Sequence, residues 1–201
     1  DISYPKKDGV VNTYAWDEVD RISNVDIIIH LAGKAHDTKN QINADEYYDI
    51  NFGLTKKIFD WFLASNAKKF IFFSSVKAAA DTVNGKFLRE DVIPLPKGPY
   101  GESKIAAENY ILENLPNDKQ VYILRPCMIH GPGNKGNLNL LYKIVTKGIP
   151  WPLGAFHNQR SFCSIDNISY VIESLIQKDI DSGIYQVADD KPLSTNVLIE
   201  L

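Results

Sequence analysis

Three short runs rich in β-branched and aromatic residues, each closed by small or polar residues and separated by helical patterns, constrain this chain most. The first, Ile27-Ile28-Ile29-His30-Leu31-Ala32, ends at Gly33 and is apolar at consecutive positions. A strand of that kind is expected to be buried on both faces, as in parallel sheets covered by helices. The second, Phe70-Ile71-Phe72-Phe73, ends in Ser74-Ser75. The third, Val121-Tyr122-Ile123-Leu124, is closed by Arg125-Pro126. Between the first two, Tyr47, Ile50, Leu54, Ile58, Trp61 and Phe62 recur at helical spacing, which predicts an amphipathic helix over 44–65. A loop with Pro94, Pro96 and Pro99 leads into a second helix, expected at 100–115 and stopped by Pro116. Strand, helix, strand, helix, strand is the order of a doubly wound α/β sheet, whose ligands bind at the carboxyl ends of the strands. Beyond Gly131 the elements shorten. Helices are expected at Leu140 to Lys147 and Asn167 to Lys178, with a strand at Gly183 to Ala188, as a smaller lobe over that edge.

The string Pro99-Tyr100-Gly101-Glu102-Ser103-Lys104 carries the chemistry. Pro99 suits a first helical turn, where its missing N–H costs nothing. Tyr100 and Lys104, four residues apart, share a helical face. A tyrosine with a pKa near ~10 is a poor base at neutral pH, and a cation beside it favours the phenolate. Ser75, at the end of the preceding strand, offers a hydroxyl able to orient a substrate oxygen and the tyrosine oxygen together. Gly131-Pro132-Gly133-Asn134-Lys135-Gly136 spells G-x-G-x-x-G, but prolines break strand and turn and no acidic strand end follows, so it reads as a substrate-side loop. His30, inside an apolar strand, reads as a hydrogen-bonded structural residue. His36, His130 and His157 have no shared metal spacing.

Composition narrows the function. With 201 residues, 44% of them hydrophobic, and a net charge of -3, the chain can bury one substantial core and shows no nucleic-acid footprint. No run is long and apolar enough for a bilayer and no leader pattern opens the sequence, so no membrane partner is expected. Cys127 and Cys163 form no CxxC pair, consistent with a reducing, cytoplasmic setting.

DIIIHLAGKAH (26–36), YYDINFGLTKKIFD (47–60), KFIFFSSVKAAAD (69–81), PYGESKIAAE (99–108), LRPCMIHGPGNKGN (124–137) and NQRSFCSIDN (158–167) together resemble the extended short-chain dehydrogenases of the NAD-dependent epimerase/dehydratase family. The chain looks most similar to bacterial enzymes acting on UDP-linked hexoses and N-acetylhexosamines. The resemblance implies a Rossmann-like doubly wound parallel sheet without its first βαβ, beginning about 60 residues into the unit and stopping within a helix. Residues 1–130 would form a partial dinucleotide-binding domain and 131–201 mainly a substrate-binding lobe.

It also implies roles for single residues. Tyr100 would exchange the proton of the sugar 4-hydroxyl, Lys104 would bond the nicotinamide ribose and depress the tyrosine's pKa, and Ser75 would orient the 4-oxygen. Asp1, Ile2, Leu31, Ala32, Gly33, Asn51, Ser74 and Cys127 join Tyr100 and Lys104 at an NAD cofactor. Asn139 and Arg160 join Ser75 and Tyr100 at the UDP-sugar, Arg160 clamping the diphosphate. Ala78-Ala79-Ala80 and His130 depart from the family pattern and bear on which sugar is used. The implied activity is C4 epimerisation. Reduction of a UDP-4-keto-6-deoxy sugar is the alternative within the family, and a non-catalytic dinucleotide-binding module is the alternative outside it. A dehydratase fits poorly, because Val76-Lys77 stand where the family's dehydratases place an Asp-Glu pair. A homodimer through helices 44–65 and 100–115 is expected from the same resemblance.

Overall fold

The computed structural model describes residues 12–35, 43–83, 85, 87–133, 137–148 and 158–200. Four parallel strands form its main sheet: β1 (Ile27–His30), β2 (Lys69–Phe73), β3 (Gln120–Pro126) and β6 (Gly183–Val187), in the order β1-β2-β3-β6. Two short strands, β4 (Met128–His130) and β5 (Phe162–Ser164), pair in parallel beside it. The helices are α1 (Ala44–Tyr47), α2 (Leu54–Ala64), α3 (Val76–Ala79), α4 (Gly98–Glu113), α5 (Asn137–Thr146), α6 (Ile165–Gln177) and α7 (Thr195–Glu200). None of the described helices is long and apolar enough to cross a membrane.

Strand periodicity decides which residue meets which helix, because alternate side chains leave opposite faces of the sheet. Phe70, Phe72, Val121 and Ile123 point to one side and pack with Ile58, Phe59 and Phe62 of α2 and Ala107 and Ile111 of α4. Ile71, Tyr122 and Leu124 point to the other and pack with Ile168 and Leu175 of α6. Lysines at the amino ends of strands close the helices on both sides. Lys119 Nζ donates to Phe62 O, Leu63 O and Ser65 O at 2.7, 3.0 and 2.7 Å, at the end of α2. Lys69 Nζ donates to Leu175 O, Ile176 O and Lys178 O at 2.7, 3.0 and 2.7 Å, at the end of α6. A cation at a helix carboxyl end satisfies orphan carbonyls and complements the dipole.

Several expectations are corrected. β1 is not covered on both faces: Ile28 packs under α2, but Ile29 is 39% exposed, because β1 lies at the sheet's edge among the described residues. The helix expected at 44–65 forms, but with a π-helical stretch at Tyr48–Gly53 between α1 and α2, a feature frequent at functional sites. β3 runs through Arg125 and Pro126 to its pairing with Val187 instead of closing at Leu124. Proline is tolerated where a strand ends. The main sheet draws strands from both sides of residue 130, since β6 comes from the downstream segment and completes it beside β3.

His30, at the end of β1, is a buried structural residue. Its Nε2 lies 2.9 Å from Thr55 Oγ1 of α2, and its ring stacks on Phe72 at 5.7 Å. Burial first, and then the charge of Lys104, lower its pKa to about 4. The folded state therefore holds a neutral imidazole at pH values where the unfolded chain binds a proton. The stability from this group is full above about 6.5 and is lost as pH falls toward 4. The unfolding free energies of wild type and His30→Asn should converge by about 3 kcal/mol between pH 6.5 and 4 in urea titrations, and parallel curves would contradict this assignment.

Candidate active site

The carboxyl ends of β1, β2 and β3 lie along one edge of the sheet. From β2 the chain passes through Ser74 and Ser75 directly into α3. Ser75 is the N-cap of that short helix, its Oγ accepting from Lys77 N at 3.2 Å, a role serine fills well. The same hydroxyl lies close enough to the Tyr100 phenol to pull its pKa down. Tyr100 sits in the first turn of α4, which begins with Gly98 at φ 81° followed by Pro99. Only glycine adopts that backbone cheaply. The Tyr100 ring meets Tyr47 edge-on at 6.3 Å.

Close contact between α3 and α4 brings Ser75 and Tyr100 together, and Gly101 permits it. A Cβ at Gly101 would lie 2.6 Å from Lys77 O and 2.9 Å from Pro96 Cβ. No side chain fits between those backbones. The sequence showed this glycine only as part of a motif.

Lys104 lies one turn further along, 4% exposed. Its ammonium donates to Phe73 O at 2.8 Å, at the end of β2, and sits 5.0 Å over the Phe72 ring. It also borders Gly33, where a Cβ would approach Nζ to 2.8 Å and Asn51 Oδ1 to 3.2 Å. Burial lowers the lysine's pKa to about 8, opposed by Glu108. The expected lowering of the tyrosine is not what this geometry produces. Burial raises the Tyr100 pKa, Ser75 pulls it back, and Tyr47 adds to the rise. The ammonium is bound to the strand carbonyl, and Ser75 is the group that favours the phenolate.

Asn51, within the π-helical turn and fully buried, joins the β1 exit to α4. Its Oδ1 accepts from Lys34 N at 2.7 Å, and its Nδ2 donates to Lys34 O at 3.1 Å and Ser103 Oγ at 3.0 Å. Ser103 Oγ in turn donates to Tyr100 O at 2.9 Å. Leu31, Ala32 and Gly33 form the strand exit that Asn51 holds, with Leu31 63% exposed. At Gly33 the absent side chain is what lets Lys104 and Asn51 close on the strand exit.

Other expected residues fall elsewhere. Ser74 turns its hydroxyl inward, donating to Glu108, so that hydroxyl is not presented to a ligand. Cys127, between β3 and β4, donates its N–H to Val187 O at 3.0 Å, and burial raises its thiol's pKa, so it is no reactive thiolate. Asn139 lies on the exposed side of α5, in helix instead of the expected loop. Arg160 is exposed and pairs through its backbone with Leu193 in both directions, at 3.0 and 2.9 Å. Beside it an open groove of about 580 Å³ is lined by Asn158, Gln159 and Leu193 among others. Asp1, Ile2, His36, His157 and Gly136 lie outside the described residues.

Sequence reasoning missed Gly101's packing, the Asn51–Ser103 joint, and a buried cluster of Ser74, Glu108 and Arg125. Arg125 Nε donates to both Glu108 carboxylate oxygens at 3.1 Å, and Nη2 to Oε2 at 2.5 Å. A signal existed, since an arginine closing an apolar strand needs a buried partner.

With this geometry in hand, comparison with known proteins is decisive. The NAD dependent epimerase/dehydratase family profile matches residues 10–188. The chain belongs to this family. It is 29% identical over 184 residues to UDP-glucose 4-epimerase of Vibrio cholerae, covering 89% of this chain and 56% of that protein. It is 28% identical over 183 residues to N-acetyl-alpha-D-glucosaminyl-diphospho-ditrans,octacis-undecaprenol 4-epimerase of Escherichia coli O157:H7, covering 89% and 54%. The chain thus spans about half the length of the curated relatives it matches. Its structure is similar to UDP-glucuronic acid 4-epimerase from Bacillus cereus in complex with NAD, at TM-score 0.74 and 20% identity, covering 90% of this chain and 59% of that one. At that identity the likeness speaks for the Rossmann-like α/β fold.

Replacing Gly101 with alanine should cost about 1–3 kcal/mol in urea unfolding, because α3 and α4 must separate to admit a methyl group. Unchanged stability would mean the helices do not approach as described.

Proposed function

We propose that this chain carries the catalytic centre of an NAD-dependent epimerase acting at C4 of a UDP-hexose or UDP-N-acetylhexosamine. The observation that carries the reading is Ser75 at the β2 exit beside the Tyr100 phenol of α4, with a buried Lys104 one turn along the same helix. The 4-epimerase relatives support an epimerase over a reductase. Leu31, Ala32, Gly33 and Asn51 on one side and Lys104 on the other are the residues that would hold the dinucleotide, the missing side chain of Gly33 letting Lys104 and Asn51 close against the strand exit. NAD, when bound, supplies the group that accepts hydride from C4 and returns it to the opposite face.

The protein's own task is proton handling. Tyr100 would take the proton of the sugar 4-hydroxyl as a phenolate and return it to the 4-oxygen as a phenol, and burial, which raises its pKa, works against the first of these steps. Ser75, beside the phenol, would fix the position of that oxygen. A proton donor and acceptor held within hydrogen-bond reach typically contributes about 10²–10⁴-fold. Lys104, charged below about pH 8, would anchor a ribose hydroxyl. Arg160, exposed beside the open groove, would meet the diphosphate, a pairing suited to its planar fork, and Asn139 would lie on the same substrate side. Residues 131–201 would then act mainly on the sugar nucleotide while lending β6 to the sheet. A homodimer through the helices at 44–65 and 100–115 and a cytoplasmic setting are proposed on the same footing.

Tyr100→Phe should reduce interconversion of UDP-hexoses about 10²–10⁴-fold while calorimetry shows UDP-sugar binding intact; retained turnover would sink the assignment. Epimerisation should proceed without added nicotinamide, whereas a reductase would consume it. Turnover should fall as pH rises through about 8, where Lys104 loses its charge, and a plateau extending to pH 10 would show that this charge is not needed.

A further inference from the structure

Beneath the catalytic helix lies a polar cluster that the proton chemistry leaves unused. Glu108 is fully buried, one helical turn beyond Lys104. Its carboxylate accepts three contacts from Arg125 of β3 and one from the Ser74 hydroxyl of β2. Ser74 immediately precedes Ser75, and its N–H donates to Leu124 O at 2.8 Å. Arg125 Nη1 is buried without a hydrogen-bond partner, so Glu108 is its only ion-pair partner among the described residues. One carboxylate thus gathers the end of β2, the end of β3 and the helix bearing Tyr100 and Lys104.

We propose that Glu108 is a positioning residue. Its bond to Ser74 fixes Ser75 against Tyr100, and its negative charge helps keep Lys104 an ammonium. The charged and titratable groups around the pair are named readily. Lys104 faces His30 of β1 and Glu108 of its own helix. Tyr100 faces Tyr47 of α1 and Ser75, and Glu108 faces Arg125. His30 is neutral above about pH 4, so among these groups Glu108 is the anion acting on the lysine. Arg125 neutralises the carboxylate from the side of β3 but leaves it one turn from Lys104, so the nearer charge prevails there. The mechanical role rests on geometry alone: without Glu108, Ser74 and Arg125 lose a shared acceptor and the β2 exit is no longer pinned to α4.

The proposal deepens the C4-epimerase reading but is tested without turnover. In the full chain, NMR of lysine ¹³Cε and tyrosine ¹³Cζ follows Lys104 and Tyr100, assigned with Lys104→Arg and Tyr100→Phe. Glu108→Gln should lower the Lys104 midpoint by about one pH unit. Should that variant fail to fold with Arg125 unpaired, Glu108→Gln combined with Arg125→Met removes both charges at similar volume and should lower the Lys104 midpoint in the same direction by a smaller amount. Ser74→Ala should leave the Lys104 midpoint in place and raise that of Tyr100, because Ser75 is no longer held beside the phenol. A Lys104 midpoint unmoved in the folded double variant overturns the electrostatic role, and a Tyr100 midpoint unmoved in Ser74→Ala overturns the positioning role. If wild type interconverts no UDP-hexose while both midpoints move as stated, the C4 reading fails and the role of Glu108 stands.

Discussion

The parallel pairing of β1, β2 and β3 is the constraint on which the rest depends. His30 stands beside Phe72, and Phe72 beside Ile123, so the three strands reach the same level together. Their exits therefore lie on one edge: Leu31 to Gly33, Ser74 to Ser75, and Arg125 to Pro126. Parallel strands require crossovers, and the crossover between β2 and β3 carries α4 back over that edge with Tyr100 in its first turn. An antiparallel arrangement of the same strands would scatter these exits between two ends.

Once the exits converge, polar groups must be buried beneath α4, and each must find a partner or cost free energy. Two junctions meet this demand. Asn51 spans the β1 exit and Ser103, while Glu108 spans Ser74 and Arg125. Breaking a buried ion pair from one side is strongly destabilising, typically by about 3–5 kcal/mol, so Glu108 and Arg125 constrain each other. Apolar packing of α2 and α4 on the sheet supplies the bulk of the attraction. The two junctions decide the orientation of α4, and hence whether Tyr100 meets Ser75.

Much of this was legible from local pattern. The runs at 27–32, 70–73 and 121–124 gave three of the four strands of the main sheet, and the spacing of Ile58, Trp61 and Phe62 gave the helix between the first two. Pro99 marked the start of α4 within about two residues. The Tyr100, Lys104 and Ser75 constellation was visible because its members sit at fixed points of a helix and a strand end. Less visible were the π-helical turn around Asn51 and the continuation of β3 through Pro126, where pairing with β6 overrides the proline's local preference. The inward turn of Ser74 was equally hidden, since adjacent serines look alike until Glu108 is placed beside one of them.

The sequence by itself determined which segments form strands and helices and which side chains can move a proton, because periodicity and side-chain chemistry are local properties. Only the tertiary structure decided what those side chains meet. Asn51 reaches Ser103 across 52 positions and Ser74 reaches Glu108 across 34, separations over which no spacing rule operates. It also reversed one expectation: burial holds Tyr100 above its ordinary pKa, while Lys104 is bound to Phe73 O. Burial and direction set a pKa, and both exist only once the helix has docked on the sheet.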